Sequence, residues 1–512
     1  MKKKTTKMNK LFTIRISLIV ALGGFLLGFD SAVISGTITG IRTYFEMSDW
    51  ELGFAVGCVI FGAMFGNIAA GPASDRFGRK NILIITAFLF TISAAWSALA
   101  TSYPEFIIAR MIGGVGIGAA ILIAPIYIAE IAPPKQRGSL VSLNQLNIVI
   151  GISIAYFSNY FLKDIEVDNW RWMLGVEVVP ALFYFVTLFT VPESPRWLIN
   201  RINETEKAQK ILTRIGGIDY AKITTQEILK HKNLNIKKGT YADFFSKKMN
   251  TILIIAFGLA FFQQITGINA IFYYAPTIFE QAGGSTDSSF LQAIVVGLTN
   301  LAFTFVAIWL IDKLGRKPLL IIGTASMSVA LFLATLAFNN ATYHFNKENI
   351  SKVDQNKIQI ALKTLEGTTY NSQTELYQGI ETILTPEQTK IFKTSYAKNF
   401  ININAFQVLS AILLYVAAFA ISLGPVMWTM LSEIFPNNVK GIAISIVGFF
   451  NSLISYSVTQ LFPWELSNLG PTLTFAIYTI LAILSLLFVL KYVKETKGKT
   501  LEELEDLLIK QS

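Results

Sequence analysis

Apolar stretches of about twenty residues alternate along the chain with short polar connections, and a helix of that length crosses the hydrocarbon core of a bilayer. Such stretches lie at 13–36, 52–72, 81–100, 104–129, 140–162 and 172–191. After a polar interval they resume at 251–279, 290–311, 317–338, 401–430, 442–463 and 471–492. They predict an all-α integral membrane protein with twelve transmembrane helices in two sets of six. The predicted organisation is a tail over 1–12, a six-helix half over 13–191, a linker over 192–250, a second half over 251–492 and a tail over 493–512. Apolar residues at helical spacing around Glu204–Ile215 predict short amphipathic helices in the linker. A second polar stretch, 339–400, separates spans nine and ten and is expected to be a partly disordered surface insertion.

Charge fixes the expected orientation. An even number of spans puts both chain ends on one side. The short connections on that side carry Arg76, Arg79, Lys80, Lys135, Arg137, Lys313, Arg316, Lys317 and Lys440, against only Arg42, Lys163 and Arg171 opposite. That bias predicts cytoplasmic termini. The stretch Met1–Lys10 holds five lysines ahead of an apolar run without a small-residue cleavage site, so a cytoplasmic tail is expected rather than a signal peptide.

Composition agrees with lipid as the solvent. Only 15% of residues are charged, where a soluble chain would carry roughly 25%. The net charge of +10 sits in the connections between spans, so it argues for membrane sidedness and not for nucleic acid. Cys58 stands alone, and neither His231 nor His344 has a second ligand at metal-binding spacing. No cofactor, metal or enzymatic centre is expected.

The chain also repeats itself. Asp75-Arg-Phe-Gly-Arg-Lys80 recurs as Asp312-Lys-Leu-Gly-Arg-Lys317, and Glu130-Ile-Ala-Pro-Pro-Lys-Gln-Arg-Gly138 recurs as Glu433-Ile-Phe-Pro-Asn-Asn-Val-Lys-Gly441. The offsets are 237 and 303 residues, and Glu193 matches Glu495 at 302. The extra 66 residues fall between Lys317 and Glu433, where the 339–400 insertion lies. Two six-helix halves in parallel duplication are a carrier architecture.

Four groups of residues carry candidate chemistry. Gly78 and Gly315 permit tight turns, and Arg79 and Arg316 can reach Glu130 and Glu433, which suggests a charge network latching the halves while the site faces outward. Turn chemistry with ordinary sidedness charges is the plainer alternative. Asp30, Arg110 and Glu177 lie inside spans, where an ionisable group marks function by default. An Asp30–Arg110 pair that opens to accept a proton, with Glu177 as a second proton stop, is one reading; a static pair is the other.

Span seven contains Gln263, Gln264 and Asn269 beside Tyr273 and Tyr274, with Gly267 and Pro276 to unwind or bend it. Amides and aromatic faces, with Trp428 on span ten, suit the hydroxyls and C–H surface of a sugar. Amides also glue membrane helices together. Gly424 and Pro425 form a candidate hinge at the inner gate.

These residues resemble the sugar porter family of the major facilitator superfamily. The resemblance covers nearly the whole chain, excluding the first ten residues and most of 339–400. It rests on Asp75–Lys80, Asp312–Lys317, Pro192-Glu-Ser-Pro-Arg-Trp-Leu198, Gln263–Pro276, Gly424–Trp428 and Glu495-Thr-Lys-Gly-Lys-Thr500. The pattern is similar to bacterial proton-coupled pentose and hexose porters. It implies a sugar site at Gln145, Gln263, Gln264, Asn269, Trp428 and Asn451, and proton coupling at Asp30 paired with Arg110. Glu130, Arg137, Glu193, Arg196 and Glu433 match that family's intracellular charge network, and the repeated elements add Asp75, Arg79, Asp312, Arg316 and Lys440 to the expected cytoplasmic gate. Four positions depart from the family pattern: Lys494 for Pro, Lys440 for Arg, Ser452 for Trp and Leu27 for Phe. The implied activity is proton-coupled import of a monosaccharide across a bacterial inner membrane, by a monomer. A proton-independent facilitator and a non-transporting sugar sensor are the alternatives.

Overall fold

A computed structural model describes residues 9–133, 136–233, 240–436, 439–498 and 503. Twelve helices long and apolar enough to cross a membrane are present among them. The first half comprises span one (Lys10–Tyr44), two (Asp49–Phe77), three (Arg79–Leu99), four (Tyr103–Ile131), five (Arg137–Leu162) and six (Asn169–Leu188). The second half holds span seven (Asn250–Ile265 and Ile268–Gln281), eight (Thr286–Leu314) and nine (Arg316–Asn339). It is completed by span ten (Ala405–Ile421 and Leu423–Ile434), eleven (Lys440–Asn468) and twelve (Gly470–Tyr492). Every predicted span is present, and span one runs eight residues beyond its expected end, to Tyr44.

Small residues let the helices approach closely. An added Cβ on Gly62 or Gly66 would strike the carbonyls of Met111 or Val115, and one on Gly114 or Gly118 those of Val59 or Ala63. Spans two and four therefore pack backbone to backbone, as membrane helices do where no hydrophobic effect drives association. The linker forms Pro195–Arg201, then Thr205–Asn233 with a kink at Gly217, then Tyr241–Phe244.

The 339–400 stretch departs from expectation. It is an ordered unit with its own core, in which the rings of Phe345, Phe392 and Phe400 pack around Ile350, Ile358, Leu362, Leu376 and Ile380. Three short antiparallel strands, β1 (Thr342–His344), β2 (Thr369–Tyr370) and β3 (Ile401–Asn402), lie in the order β2-β1-β3. Lys398 Nζ bonds Glu280 at 2.7 Å, tying the unit to the end of span seven. Polar average composition hid the spaced apolar positions that build this core.

The halves meet at the face opposite the basic connections. Tyr156 Oη donates to the Phe272 carbonyl at 2.7 Å, Gln460 Nε2 to the Trp50 carbonyl at 2.8 Å, and Lys163 pairs with Asp287 at 2.5 Å. Gly53 lies so near the Gln460 carbonyl that a Cβ would stand 2.1 Å from it. At the basic face the pairs Arg79–Asp75, Arg79–Glu130 and Arg316–Glu433 each lie within one half, and Arg201 of the linker pairs with Asp75. The two halves are thus joined directly at the far face.

Gly53→Leu should hold the far face open, because overpacking of about 1–3 kcal/mol would act against its closure. The check is thiol labelling of Tyr456→Cys by an impermeant reagent in a Cys58→Ser background, Cys58 being buried and the single native cysteine. Labelling should rise sharply with Leu at 53; unchanged labelling would mean the contact does not hold the face shut.

Candidate functional site

Span seven breaks where its sequence allows. Its first segment ends at Ile265; Gly267 takes a left-handed conformation (φ 95°, ψ 15°), and the second segment starts at Ile268. Across this break Asn269 Nδ2 donates to Gln264 Oε1 at 2.9 Å, so an amide from each segment faces the other. Gln264 Nε2 donates to Asn451 Oδ1 at 3.1 Å, and Asn451 Nδ2 to Gln263 Oε1 at 2.9 Å. Ser455, one turn beyond Asn451, accepts from Asn269 at 2.5 Å. Four of the expected sugar residues therefore form one polar cluster between spans seven and eleven. Ser455 was not anticipated, although its spacing of four from Asn451 places it on the same helix face.

The other expected sugar residues stand apart from that cluster. Tyr274 Oη donates to the Thr459 carbonyl at 3.1 Å, and its ring packs 5.1 Å from Phe462, so it is anchored in the second half. Tyr273 points instead toward span one, within electrostatic reach of Asp30 and Arg110. Gln145 is half-buried on span five, and no hydrogen bond joins it to the amides among the described residues. Trp428, 40% exposed, lies beside Gly448 of span eleven.

The hinge in span ten falls slightly before its expected place. The break is at Ser422 (φ −125°, ψ −102°), three residues ahead of Pro425. A proline ring collides with the carbonyl four residues earlier, here that of Ile421, so the helix yields upstream of Gly424 and Pro425. Gln263 Nε2 donates to the carbonyls of Leu423 at 2.8 Å and Gly424 at 3.3 Å, which couples the two broken spans.

In the first half, Asp30 and Arg110 are 5% and 2% exposed and form a two-pronged pair, with Arg110 Nη1 on one carboxylate oxygen and Nη2 on the other. Glu177 is equally buried and lies beside both. It sits where span six tightens, between Asn169–Gly175 and Val178–Leu188. Because span one extends to Tyr44, Asp30 is about 20 Å from that end at ~1.5 Å per residue, deeper than expected. Two carboxyls and one guanidinium thus share a site without water-exposed partners.

The basic face shows the duplication as chemistry. Arg79 pairs with Glu130 at 3.1 Å, and Arg316 with Glu433 at 2.8 Å. Glu193 accepts from the backbone N–H groups of Arg79 and Lys80, as Glu495 does from those of Arg316 and Lys317. Ser194 donates to Glu130 and Thr496 to Glu433. Gly78 and Gly315 have φ of 95° and 94°, and a Cβ on either would strike the neighbouring glutamate.

Burial pushes the Glu193 carboxyl up despite its amide donors. At Glu495 burial also pushes upward, but backbone amides prevail and hold it below the ordinary glutamate value. Asp75 pairs with Arg79 at 3.1 Å and with Arg201, a residue no sequence signal marked. Arg196 lines a small cleft with Asp75, Arg79 and Glu130, and Lys440 lies within electrostatic reach of Glu433. The side chains of Arg137 and Asp312 lie outside the described residues.

Comparison with known proteins bears on the whole molecule. The family model described as "Sugar (and other) transporter" matches residues 16–356 and 384–508, breaking within the ordered insertion. The D-xylose-proton symporter of Escherichia coli is 36% identical, with 98% of this chain and 97% of that protein aligned. The arabinose-proton symporter of Bacillus subtilis is 37% identical, over 98% and 96% of the two chains. An inward-open structure of the Escherichia coli xylose transporter superposes with a TM-score of 0.74 at 35% identity, covering 97% of this chain and all of that one. With this coverage, two six-helix halves and a duplicated charge network, the chain belongs to the sugar transporter family of the major facilitator superfamily.

Proposed function

We propose that this protein imports a monosaccharide, a pentose or hexose, together with a proton by alternating access. The observation that carries this reading is that broken span seven carries both an amide cluster shared with span eleven and Tyr273, which faces the buried Asp30–Arg110–Glu177 triad of the first half. Gln263, Gln264, Asn269 and Asn451 supply paired donors and acceptors for sugar hydroxyls. Gln145 of span five and Trp428 of span ten are further candidate sugar contacts, Trp428 offering an aromatic surface to the ring. Relatives named for xylose and arabinose symport with protons support the substrate class.

The triad gives a physical basis for coupling. With both carboxyls ionised it carries one net negative charge; with one proton it is neutral. An uncompensated buried charge costs several kcal/mol, so neutral and charged forms favour different conformations. Proton uptake on Asp30 would release one side of the pair while Glu177 keeps the guanidinium partnered. Sugar bound at the amides bears on Tyr273 through span seven, and Tyr273 borders the triad.

The basic connections share a face with both chain ends, so we assign that face to the cytoplasm of a bacterial inner membrane. The conformation described is then inward-facing, and the protein acts as a monomer. In this state Arg79 pairs with Glu130 and Arg316 with Glu433, each pair within its own half. The latch between halves, for which Asp75, Glu193, Arg196 and Lys440 are further members, would form when the site turns outward.

Two measurements test the reading. Adding sugar to de-energised cells should make the medium alkaline; measurable uptake with no such change would mean a proton-independent facilitator. Asp30→Asn should abolish accumulation against a gradient while sugar counterflow in proteoliposomes persists. Accumulation surviving that substitution would remove Asp30 from the coupling step.

A further inference from the structure

The amide cluster straddles a break in a helix, so the shape of the break determines how far Gln264 and Asn269 stand apart. We infer that Tyr415 and a Glu465–Tyr478 pair, none of which belongs to the cluster, are positioning residues that hold this break and thereby set sugar affinity. The inference rests on the sugar site proposed above.

The break removes the Thr266 carbonyl from the helical ladder at the end of the first segment. Inside a membrane protein such a carbonyl needs a donor from elsewhere. Tyr415, fully buried on span ten, supplies it, its hydroxyl donating to the Thr266 carbonyl at 2.9 Å. On the other side, the ring of Tyr478 on span twelve lies against Gly267, where an added Cβ would meet ring carbons at 3.3 Å. That ring is oriented in turn by its own hydroxyl, which donates to Glu465 Oε2 of span eleven at 2.9 Å.

Glu465 is half-buried near the end of a membrane span, and among the described residues its carboxylate bonds only to Tyr478. Such a group is costly to keep without a purpose. Here it points Tyr478 at the one residue of span seven with left-handed backbone. Three spans thus grip the break: ten through the carbonyl, twelve through the ring, eleven through the carboxylate. Asn269 follows Gly267 by two residues, so rotation at the break carries its amide away from Gln264 and Ser455.

The test measures sugar counterflow, KM and maximal rate, in proteoliposomes bearing the full chain, with xylose as the probe and arabinose and glucose as substitutes if xylose is not carried. Tyr415→Phe, which removes one hydrogen bond, should raise KM roughly fivefold with little change in maximal rate. Tyr478→Phe and Glu465→Leu should act alike, and Glu465→Gln, which keeps an acceptor, should restore affinity. Tyr415→Phe combined with Asn269→Ala should be no worse than Asn269→Ala alone, because the clamp acts through that amide.

Gln264→Ala separates the two levels of the argument. If Gln264→Ala leaves KM unchanged, the sugar site itself is misassigned. If it raises KM while Tyr415→Phe and Glu465→Leu do not, the clamp is overturned and the site stands. Additive losses in the double variant, with equal falls in thermal stability, would also overturn it by reducing Tyr415 to a packing role.

Discussion

A carbonyl released from a helix inside a bilayer has no water to turn to, and the interior of this protein is organised around finding donors for such groups. Pro276 cannot bond back to Phe272, and Tyr156 of the other half takes that carbonyl. Gly267 interrupts span seven, and Tyr415 takes the Thr266 carbonyl. At the break in span ten, Ser422 Oγ donates to the Ala418 carbonyl, and Gln263 ties the following segment by donating to the Leu423 and Gly424 carbonyls. Each break creates both a cavity wall that can move and a polar demand that ties it to a neighbouring span. The candidate sugar site arises at the crossing of these demands, since Gln263 serves the backbone of span ten and the amide cluster at once.

Duplication supplies the frame, and its local failure supplies the chemistry. At the basic face the halves repeat three contacts: arginine to glutamate, a second glutamate to two backbone amides, and a hydroxyl to the first glutamate. In the membrane they diverge. The first half buries a carboxylate–guanidinium pair with Glu177 beside it, while the second buries neutral amides. Tyr273 belongs to the amide-bearing span yet borders the charged triad, so it joins the two chemistries across the seam.

Much of this was legible in the sequence, and the legible parts share a cause. Span length and the repeated Asp-x-x-Gly-Arg-Lys turns are local patterns, and lipid forces a regular answer on them. Gly267 announced the break in span seven, and the turns at Gly78 and Gly315 formed as their residues required. The insertion at 339–400 was misjudged because its core residues, Phe345, Phe392 and Phe400 among them, are far apart in the chain and few in each window. The hinge in span ten was displaced because proline acts on the carbonyl a turn upstream.

What the sequence determined by itself was the solvent, the twelve spans, the duplication and the residue types able to bind a sugar or hold a proton. Tertiary structure alone decided which of them meet. It separated Tyr274, anchored on Thr459, from Tyr273, turned toward Asp30, though the two are adjacent. It brought Ser455 and Tyr415 to span seven and placed Arg201 on Asp75. Neighbours in sequence on a helix point about 100° apart, so their partners belong to different spans, and only the packed bundle settles which.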